Sequence, residues 1–408
     1  MNLVGQNFIA NKNLLSLRIA LYPKPLIDTP EMTIDNSMLT TTRSNSDDYL
    51  SLFLNDTPLM DVRAPIEVIK GSFPFSVNHP LLDNQQRHEI GIRYKTQGEQ
   101  AAIDLGLELA TPDIRAQRYQ QWISFCKKNP QGYLFCFRGG LRSRTTQQWL
   151  KDQGYHYPLV TGGYKALRRF LIDELEESIK ALNVFSITGP TGSGKTRVLK
   201  EIHHHVDFEG IAQHRGSAFG RNPQDTQPSN IDWENAVSVE FLKHRHTFPG
   251  TPLFVEDEGK LIGRVCMQKN IETMCKTNPL VLLEESMEKR ILMTKEDYID
   301  SLWPEYQQTY PLDAEQYFSE YVLSSLSRIK KRLGGDRYKE MNGCFESALK
   351  HFFSTGDSNQ FSDGIHILLR DYYDPMYAYQ GSKREGKIIF QGNRSEVIEW
   401  ANGPKNKN

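Results

Sequence analysis

Cysteine is scarce: five in 408 residues, with no Cys-x-x-Cys pair and no regular spacing. That excludes a disulfide scaffold and a structural zinc site and fits a reducing compartment. No apolar run approaches the ~20 residues needed to cross a bilayer. The N-terminus lacks the basic stretch and apolar core of a secretory signal. The expectation is a cytoplasmic protein without a membrane partner. Solenoid-type repeats are absent. Net charge is nearly absent too, with 49 Lys and Arg against 50 Asp and Glu. The total neither demands nor excludes a nucleic-acid partner, because local patches decide that. The length exceeds what one ordinary core fills, and two domains are expected.

Residues 1–45 read as a poorly ordered extension. Ser, Thr, Asn and Asp crowd Thr40–Asp48, and Pro23, Pro25 and Pro30 punctuate the stretch before it. An alternation of strands and helices then begins. A short helix is predicted at Tyr49–Leu54, a strand at Pro58–Arg63 and a helix over Asp113–Lys127, whose apolar residues recur at helical spacing. Next come a strand at Tyr133–Phe135, a helix to Gly154, a strand at Pro158–Val160 and a helix over Tyr164–Ala181. A second unit starts with a strand at Val184–Thr188 and a helix from Arg197 to His205. Strands follow at Pro252–Glu258 and Pro279–Glu284, then a mostly helical stretch to Tyr373 and a late strand at Lys387–Phe390. The reading is an α/β chain: a parallel-sheet domain over 46–178, then an α/β domain over 179–408 with a helical C-terminal part.

Cys136 opens the run Cys136-Phe137-Arg138-Gly139-Gly140-Leu141-Arg142-Ser143, between a strand end and a helix start. Loop amides, a helix N-terminus and the charges of Arg138 and Arg142 all favour thiolate over thiol there. An inert buried cysteine, the alternative, would sit among aliphatic neighbours, as Cys126 does beside Ile123 and Phe125. It would not be followed by two arginines and a Gly-Gly pair. Cys136 therefore reads as a nucleophile that carries a group on sulfur.

Gly189-Pro190-Thr191-Gly192-Ser193-Gly194-Lys195-Thr196 matches a phosphate loop, with an apolar strand before it and a helix after it. Gly189, Gly192 and Gly194 let the backbone curl around phosphate oxygens, Lys195 reaches the terminal phosphate, and the Thr196 hydroxyl is a magnesium ligand. Asp257, at a strand end, is the expected carboxylate for that ion, with Glu256 and Glu258 as rivals; the plain alternative is a solvated strand end. Such a loop implies a diphosphate or a nucleoside triphosphate. No nucleobase-reading motif follows it, which leaves room for a diphosphate that is not a nucleotide.

His203-His204-His205 cannot share one ion if helical, because successive side chains point about 100° apart; a solvated helix end is the reading. Arg215, beside His214 and within Arg215-Gly216-Ser217-Ala218-Phe219-Gly220-Arg221, reads as part of an anion-binding loop near the phosphates. Asn222–Asn230 reads as a mobile lid. The basic run Arg328, Lys330, Lys331, Arg332 and Arg337, with the aromatic segment Tyr372–Tyr379, suits single-stranded RNA. It equally suits a solvated helix face and a packed tail.

The pattern Cys-x-Arg-Gly-Gly-x-Arg-Ser, preceded by Asp61-Val62-Arg63, resembles a rhodanese domain, whose loop cysteine carries sulfur as a persulfide and has the Asp-Val-Arg strand end beside it. The phosphate loop joined to it, together with Ala64-Pro65-Ile66-Glu67, Gly162–Arg168, His214–Gly220 and Tyr372–Tyr377, makes about residues 47–402 similar to the bacterial tRNA 2-selenouridine synthase family. The resemblance implies a rhodanese-like domain followed by a phosphate-loop NTPase-like domain. It also implies replacement of sulfur by selenium in wobble 2-thiouridine of tRNAs for Lys, Glu and Gln. Geranyl diphosphate would first alkylate the sulfur, and selenium from selenophosphate would then displace geranylthiol. Cys136 matches the cysteine that holds selenium; Asp61, Arg63, Arg138, Gly139, Gly140 and Arg142 match its surroundings. No tightly bound cofactor is implied: selenophosphate and geranyl diphosphate are co-substrates, and an enzyme that supplies selenophosphate is a candidate partner. Position 137 is Phe, to which the resemblance attaches no role.

Two rival functions compete with this one. The first is an ATP-dependent sulfurtransferase acting on a small molecule or carrier protein. The second is a non-catalytic phosphate-loop regulator with a degenerate cysteine domain, which the intact Cys136 argues against.

Overall fold

The computed structural model describes residues 43–224 and 226–403. The extension expected over 1–45 falls almost wholly outside these. Its last residues are tied down: Arg43 donates to the carbonyls of Pro130, Gln131 and Gly132, and Asn45 Oδ1 accepts the Leu159 N–H.

The first sheet is parallel. It comprises β1 (Leu59–Asp61), β2 (Ser76–Asn78) and β3 (Tyr133–Phe135) in the order β2-β1-β3. Single parallel bridges Leu134–Leu159 and Ser46–Val160 extend it. The stretch expected as a strand at Pro158–Val160 contributes only these bridges. The second sheet is also parallel, order β10-β9-β4-β6-β5, from β4 (Val184–Thr188), β5 (His205–Val206), β6 (Leu253–Glu256), β9 (Leu280–Leu283) and β10 (Ile388–Gly392). A two-stranded antiparallel ribbon, β7 (Leu261–Ile262) with β8 (Val265–Cys266), stands apart. All five residues of β4 are buried, as a central parallel strand covered on both faces requires. Both loops of interest leave the C-terminal ends of strands, where open parallel sheets form their crevices.

The C-terminal part is helical and has its own core. In the helix Ala314–Leu333, buried residues recur at Phe318, Tyr321, Val322, Ser325, Leu326 and Ile329, the stripe of a helix with one packed face. No helix among the described residues is long and apolar enough to cross a membrane.

Several features differ from the sequence reading. The helix after the phosphate loop ends at Leu199, and the chain turns into β5, so His205 lies in a strand and not at a helix end. The His204 ring packs 4.5 Å from that of Phe248. Two long helices carried no clear sequence signal. One, Asn84–Leu109, breaks at Gly98, whose φ of 85° is left-handed. A Cβ placed on Gly106 would stand 3.6 Å from Ile90, so the two arms fold against each other as a hairpin.

The other, Asn230–Thr247, is shared by two cores. Trp233, Val237 and Phe241 pack beneath the second sheet, while Val239 and Leu242 join the core under the first. Its N-terminal part also holds residues beside the first sheet. Asp232 Oδ1 accepts the Ser72 N–H, Asn235 Nδ2 donates to Ser72 O, and Arg168 donates to Asn235 Oδ1 at 2.7 Å.

Candidate functional site

Two stations emerge. At the first, β3 ends at Phe135 and delivers Cys136 into a turn, after which a helix runs from Leu141 to Asp152. Cys136 is 3% exposed. Ser143, in the first turn of that helix, donates to Cys136 Sγ across 2.9 Å. The N-terminus of the helix Gly163–Ala181 closes on the same loop: Tyr164 N–H donates to Cys136 O and Lys165 N–H to Phe137 O. Only glycine fits there. A Cβ on Gly163 (φ 59°) would lie 2.3 Å from Cys136 O, and one on Gly139 (φ 63°) 2.8 Å from Gly162 N.

The loop arginines divide. Arg138 is exposed, beside Gly139 and Gly140, which lead to the helix start. Arg142 turns inward and binds both oxygens of Glu67, which also faces Arg87. Burial works against the charge on Arg142, but Glu67, Cys136 and Asp61 outweigh it and hold the guanidinium protonated more firmly than usual. Burial likewise works against the Glu67 carboxylate; the hydrogen bonds and charge of Arg142 prevail and keep its pKa below the ordinary value.

Asp61 and Arg63 do not line the opening. They are 0% and 1% exposed and bind each other, Arg63 Nε to Asp61 Oδ2 at 2.9 Å. Arg63 also donates to Gly71 O, and its guanidinium lies 3.8 Å from the centre of the Tyr164 ring. The pair braces the loop from below. Burial raises the Asp61 pKa, with Arg63 opposing.

The second station is a cleft of about 680 Å³ at the end of β4. Gly189, Gly192, Gly194, Lys195, Thr196 and Arg215 all line it. Lys195 Nζ donates to Gly189 O at 2.9 Å, curled over its own loop. A Cβ on Gly192 would stand 2.4 Å from Thr294 Oγ1, so the loop is pressed against the helix Met287–Lys295. Arg290 of that helix donates from Nε to Thr191 O and pairs through its other nitrogens with Asp374. The segment Tyr372–Tyr377 thus clamps the phosphate loop. Tyr373 is buried with its hydroxyl on the Ala218 N–H, and Tyr377 lies 3.4 Å from Thr188 Oγ1. Two single π-helical turns, Glu296–Asp300 and Leu369–Tyr373, send Asp297, Tyr298 and Tyr373 into the cleft wall, a distortion common beside functional sites.

The acids are arranged differently from the sequence reading. None is a solvated strand end. Glu256 is 0% exposed, with Oε2 accepting the Phe208 N–H and Oε1 without a partner. Asp257 is ion-paired with Arg384 and accepts from Thr188 Oγ1 at 2.8 Å. The carboxylate that meets Thr196 is Glu209, whose Oε2 accepts the hydroxyl hydrogen at 2.9 Å. Glu258 stands against Glu209, and burial raises the pKa of both, helped in Glu258 by the Glu209 charge. What surface they keep opens into the cleft. Sequence alone offered no cue for Glu209 beyond an acid lying just before the His214–Gly220 run. Gly216 (φ 57°) presses that run onto it, since a Cβ there would strike Glu209 Oε1.

A hydroxyl and carboxylates are the hard oxygen donors that magnesium prefers. Among the described residues no group of three or more His, Cys, Asp or Glu is placed to hold an ion. Thr196 and Glu209 are the residues whose oxygens would hold a magnesium ion there. Asp257, held by Arg384, would act from behind them. Arg215 faces the cleft and Glu305 at 3.7 Å. The expected lid at Asn222–Asn230 is pinned where described, with Gln227 Nε2 donating to Ala212 O and Ile262 O.

A family model described as the tRNA 2-selenouridine synthase AAA domain matches residues 182–408. The chain is 48% identical over 360 residues to the tRNA 2-selenouridine synthase of Marinobacter nauticus, covering 88% of this chain and 98% of that protein. It is 48% identical over 361 residues to that of Alcanivorax borkumensis, covering 88% and 99%. A solved N-terminal domain of a putative ATP/GTP binding protein from Clostridium difficile is 29% identical over 29% of this chain, with a TM-score of 0.27, too low to speak to the fold. The chain belongs to the tRNA 2-selenouridine synthase family.

Proposed function

We propose that this chain converts 2-thiouridine at the wobble position of tRNA to 2-selenouridine in two steps, one at each station. In the first, the thiocarbonyl sulfur attacks C1 of geranyl diphosphate. The C–O bond breaks, diphosphate leaves with the electron pair, and the N3 proton goes to solvent. Lys195, the loop amides and Arg215 stabilise the leaving charge, the electrostatic contribution that matters most where charge develops. A magnesium ion at Thr196 and Glu209 would supply further charge when bound.

In the second step, water attacks the phosphorus of selenophosphate, the P–Se bond breaks to give phosphate and hydrogen selenide, and the selenide rests beside Cys136 without a bond to its sulfur. It adds to C2, the C2–S bond breaks and geranylthiolate leaves. Arg142, oriented by Glu67, supplies positive charge next to that sulfur. The N-terminal unit is read as rhodanese-like on this basis: a parallel sheet whose β3 presents a cysteine to a helix start. tRNAs for Lys, Glu and Gln in the cytoplasm are the proposed substrates, and an enzyme that makes selenophosphate is the proposed supplier.

The observation that carries this reading is the coexistence of a loop cysteine at a helix start and a phosphate-loop cleft on one chain, braced by the shared helix Asn230–Thr247. The test incubates thiolated tRNA with each co-substrate and reads the nucleoside masses. Cys136→Ala is expected to stop selenation and let S-geranyl-2-thiouridine accumulate. Lys195→Ala is expected to block geranylation yet still selenate RNA geranylated beforehand. Loss of both steps in either variant would overturn the division of labour.

A further inference from the structure

Phe137 is the residue of the Cys136 loop that the sulfur chemistry leaves unused. It follows a cysteine that is 3% exposed, yet it is itself 37% exposed. Burying the ring would have been favourable, and its position is not loose. Its carbonyl accepts the Lys165 N–H at 3.0 Å, and its ring stacks on Tyr164 with centroids 5.9 Å apart and planes 21° from parallel. Tyr164 is itself immobilised: its N–H is bonded to Cys136 O, Arg63 lies 3.8 Å from its ring centre, and Phe73 packs at 5.0 Å. Asp61 holds that arginine. An aromatic surface next to the nucleophile is thus held rigid by a buried ion pair and a ring beneath it.

The charges around it are of one sign. The Arg138 guanidinium lies over the Phe137 ring, 5.8 Å from its centre, as an exposed cation that an incoming base would displace toward its phosphate, and Arg144 is exposed one residue after Ser143. Neither forms an ion pair among the described residues, and the nearby acid, Glu67, is already engaged by Arg142 and Arg87. Leu141 adds 40% exposed apolar surface to the rim. An exposed ring on a fixed support, with exposed arginines that form no ion pair in the same loop and helix, matches an unstacked base with its phosphates: rings stack without regard to sequence, and guanidinium groups hold the backbone.

We propose that Phe137 is a stacking platform for a single pyrimidine swung out of an RNA loop, with Arg138 and Arg144 on the adjoining phosphates. The platform sets C2 of that base beside Cys136. It rests on the reading that RNA is the substrate and adds where the base sits in the second step. Extruding a base costs less in a loop than in a duplex, and the platform returns the lost stacking.

The experiment compares the wild type with Phe137→Ala, Phe137→Leu and Phe137→Tyr. Selenation of geranylated RNA is measured together with the rate of Cys136 alkylation by iodoacetamide, and photocrosslinking of RNA containing 2-thiouridine is mapped by mass spectrometry. Phe137→Ala and Phe137→Leu are expected to raise KM for the RNA about tenfold, more than they change kcat, while Phe137→Tyr stays near the wild type. Iodoacetamide reactivity should stay within about twofold in every variant, and the crosslink should fall on the peptide 129–138. An unchanged KM in the Ala variant, or a fall in alkylation parallel to the fall in selenation, would overturn the platform. A wild type that crosslinks at this peptide but forms no 2-selenouridine would overturn the proposed function and leave the platform standing. A wild type that does neither would overturn both.

Discussion

Ser143 Oγ lies 2.9 Å from Cys136 Sγ and donates its hydrogen to it. The two residues are seven apart, one at a strand end and the other in the helix that follows, so the turn between them fixes the bond. A hydrogen bond to a charged acceptor contributes about 1.5 kcal/mol or more. Ser143→Ala is therefore expected to slow alkylation of Cys136 by iodoacetamide about tenfold at neutral pH. Ser143→Thr should recover most of the rate.

Two glycines give opposite outcomes for the same substitution. Gly163→Ala places a Cβ 2.3 Å from Cys136 O and 2.6 Å from Gly139 N at a left-handed φ. It should cost about 2 kcal/mol of stability and lower Cys136 reactivity. Gly91→Ala, in a helix with nothing within 4 Å of the new methyl, should stabilise by up to ~1 kcal/mol. Thermal unfolding of both variants checks the pair.

The Arg290–Asp374 pair ties the helical region to the phosphate loop through Thr191 O. Arg290→Lys keeps the charge but loses the fork that makes these bonds together. Geranyl transfer is expected to fall about tenfold or more, and protection of the protein by geranyl diphosphate against heat should shrink. Cys136 alkylation, at the other station, should not change.

Glu67 and Glu256 should shape the pH profile of stability with opposite signs. The Glu67 carboxyl is held below its ordinary value of 4.5, since Arg142 outweighs burial. Its contribution is present above that value and is lost as pH falls through the lowered folded pKa. Glu256 is pushed well above 4.5 by burial and by the neighbouring charges of Glu209 and Asp207. Its contribution is full below 4.5 and is lost as pH rises toward the raised folded pKa. Melting temperatures across this range are expected to show Glu67→Gln flattening the acid limb. Glu256→Gln should raise stability near neutral pH and above, with little change on the acid side.

Much of the site was legible because it is local. The strand, turn and helix around Gly189–Thr196 are contiguous, as are those around Cys136, and each turn is written in glycines that later prove to be at close backbone contacts. The helix Asn230–Thr247 was illegible for the converse reason. It buries Trp233, Val237 and Phe241 toward one core and Val239 and Leu242 toward another, so no single apolar stripe marks it. The hairpin at Asn84–Leu109 was obscured because only Gln86 and Ala102 of its residues are buried. The segment Tyr372–Tyr379 suggested base stacking by composition, yet two of its tyrosines face inward, Tyr373 to the Ala218 amide and Tyr377 to Thr188.

The sequence by itself determined two local signatures: a cysteine set among arginines and glycines, and a loop of the phosphate-binding pattern. Both follow from residue types within one turn of each other. Only the tertiary structure decided which charges are spoken for. Asp61 and Arg63 cancel each other beneath Tyr164, Asp257 is taken by Arg384, and Glu209 arrives at Thr196. Buried charges must find partners, and those partners come from segments that meet only when the chain folds.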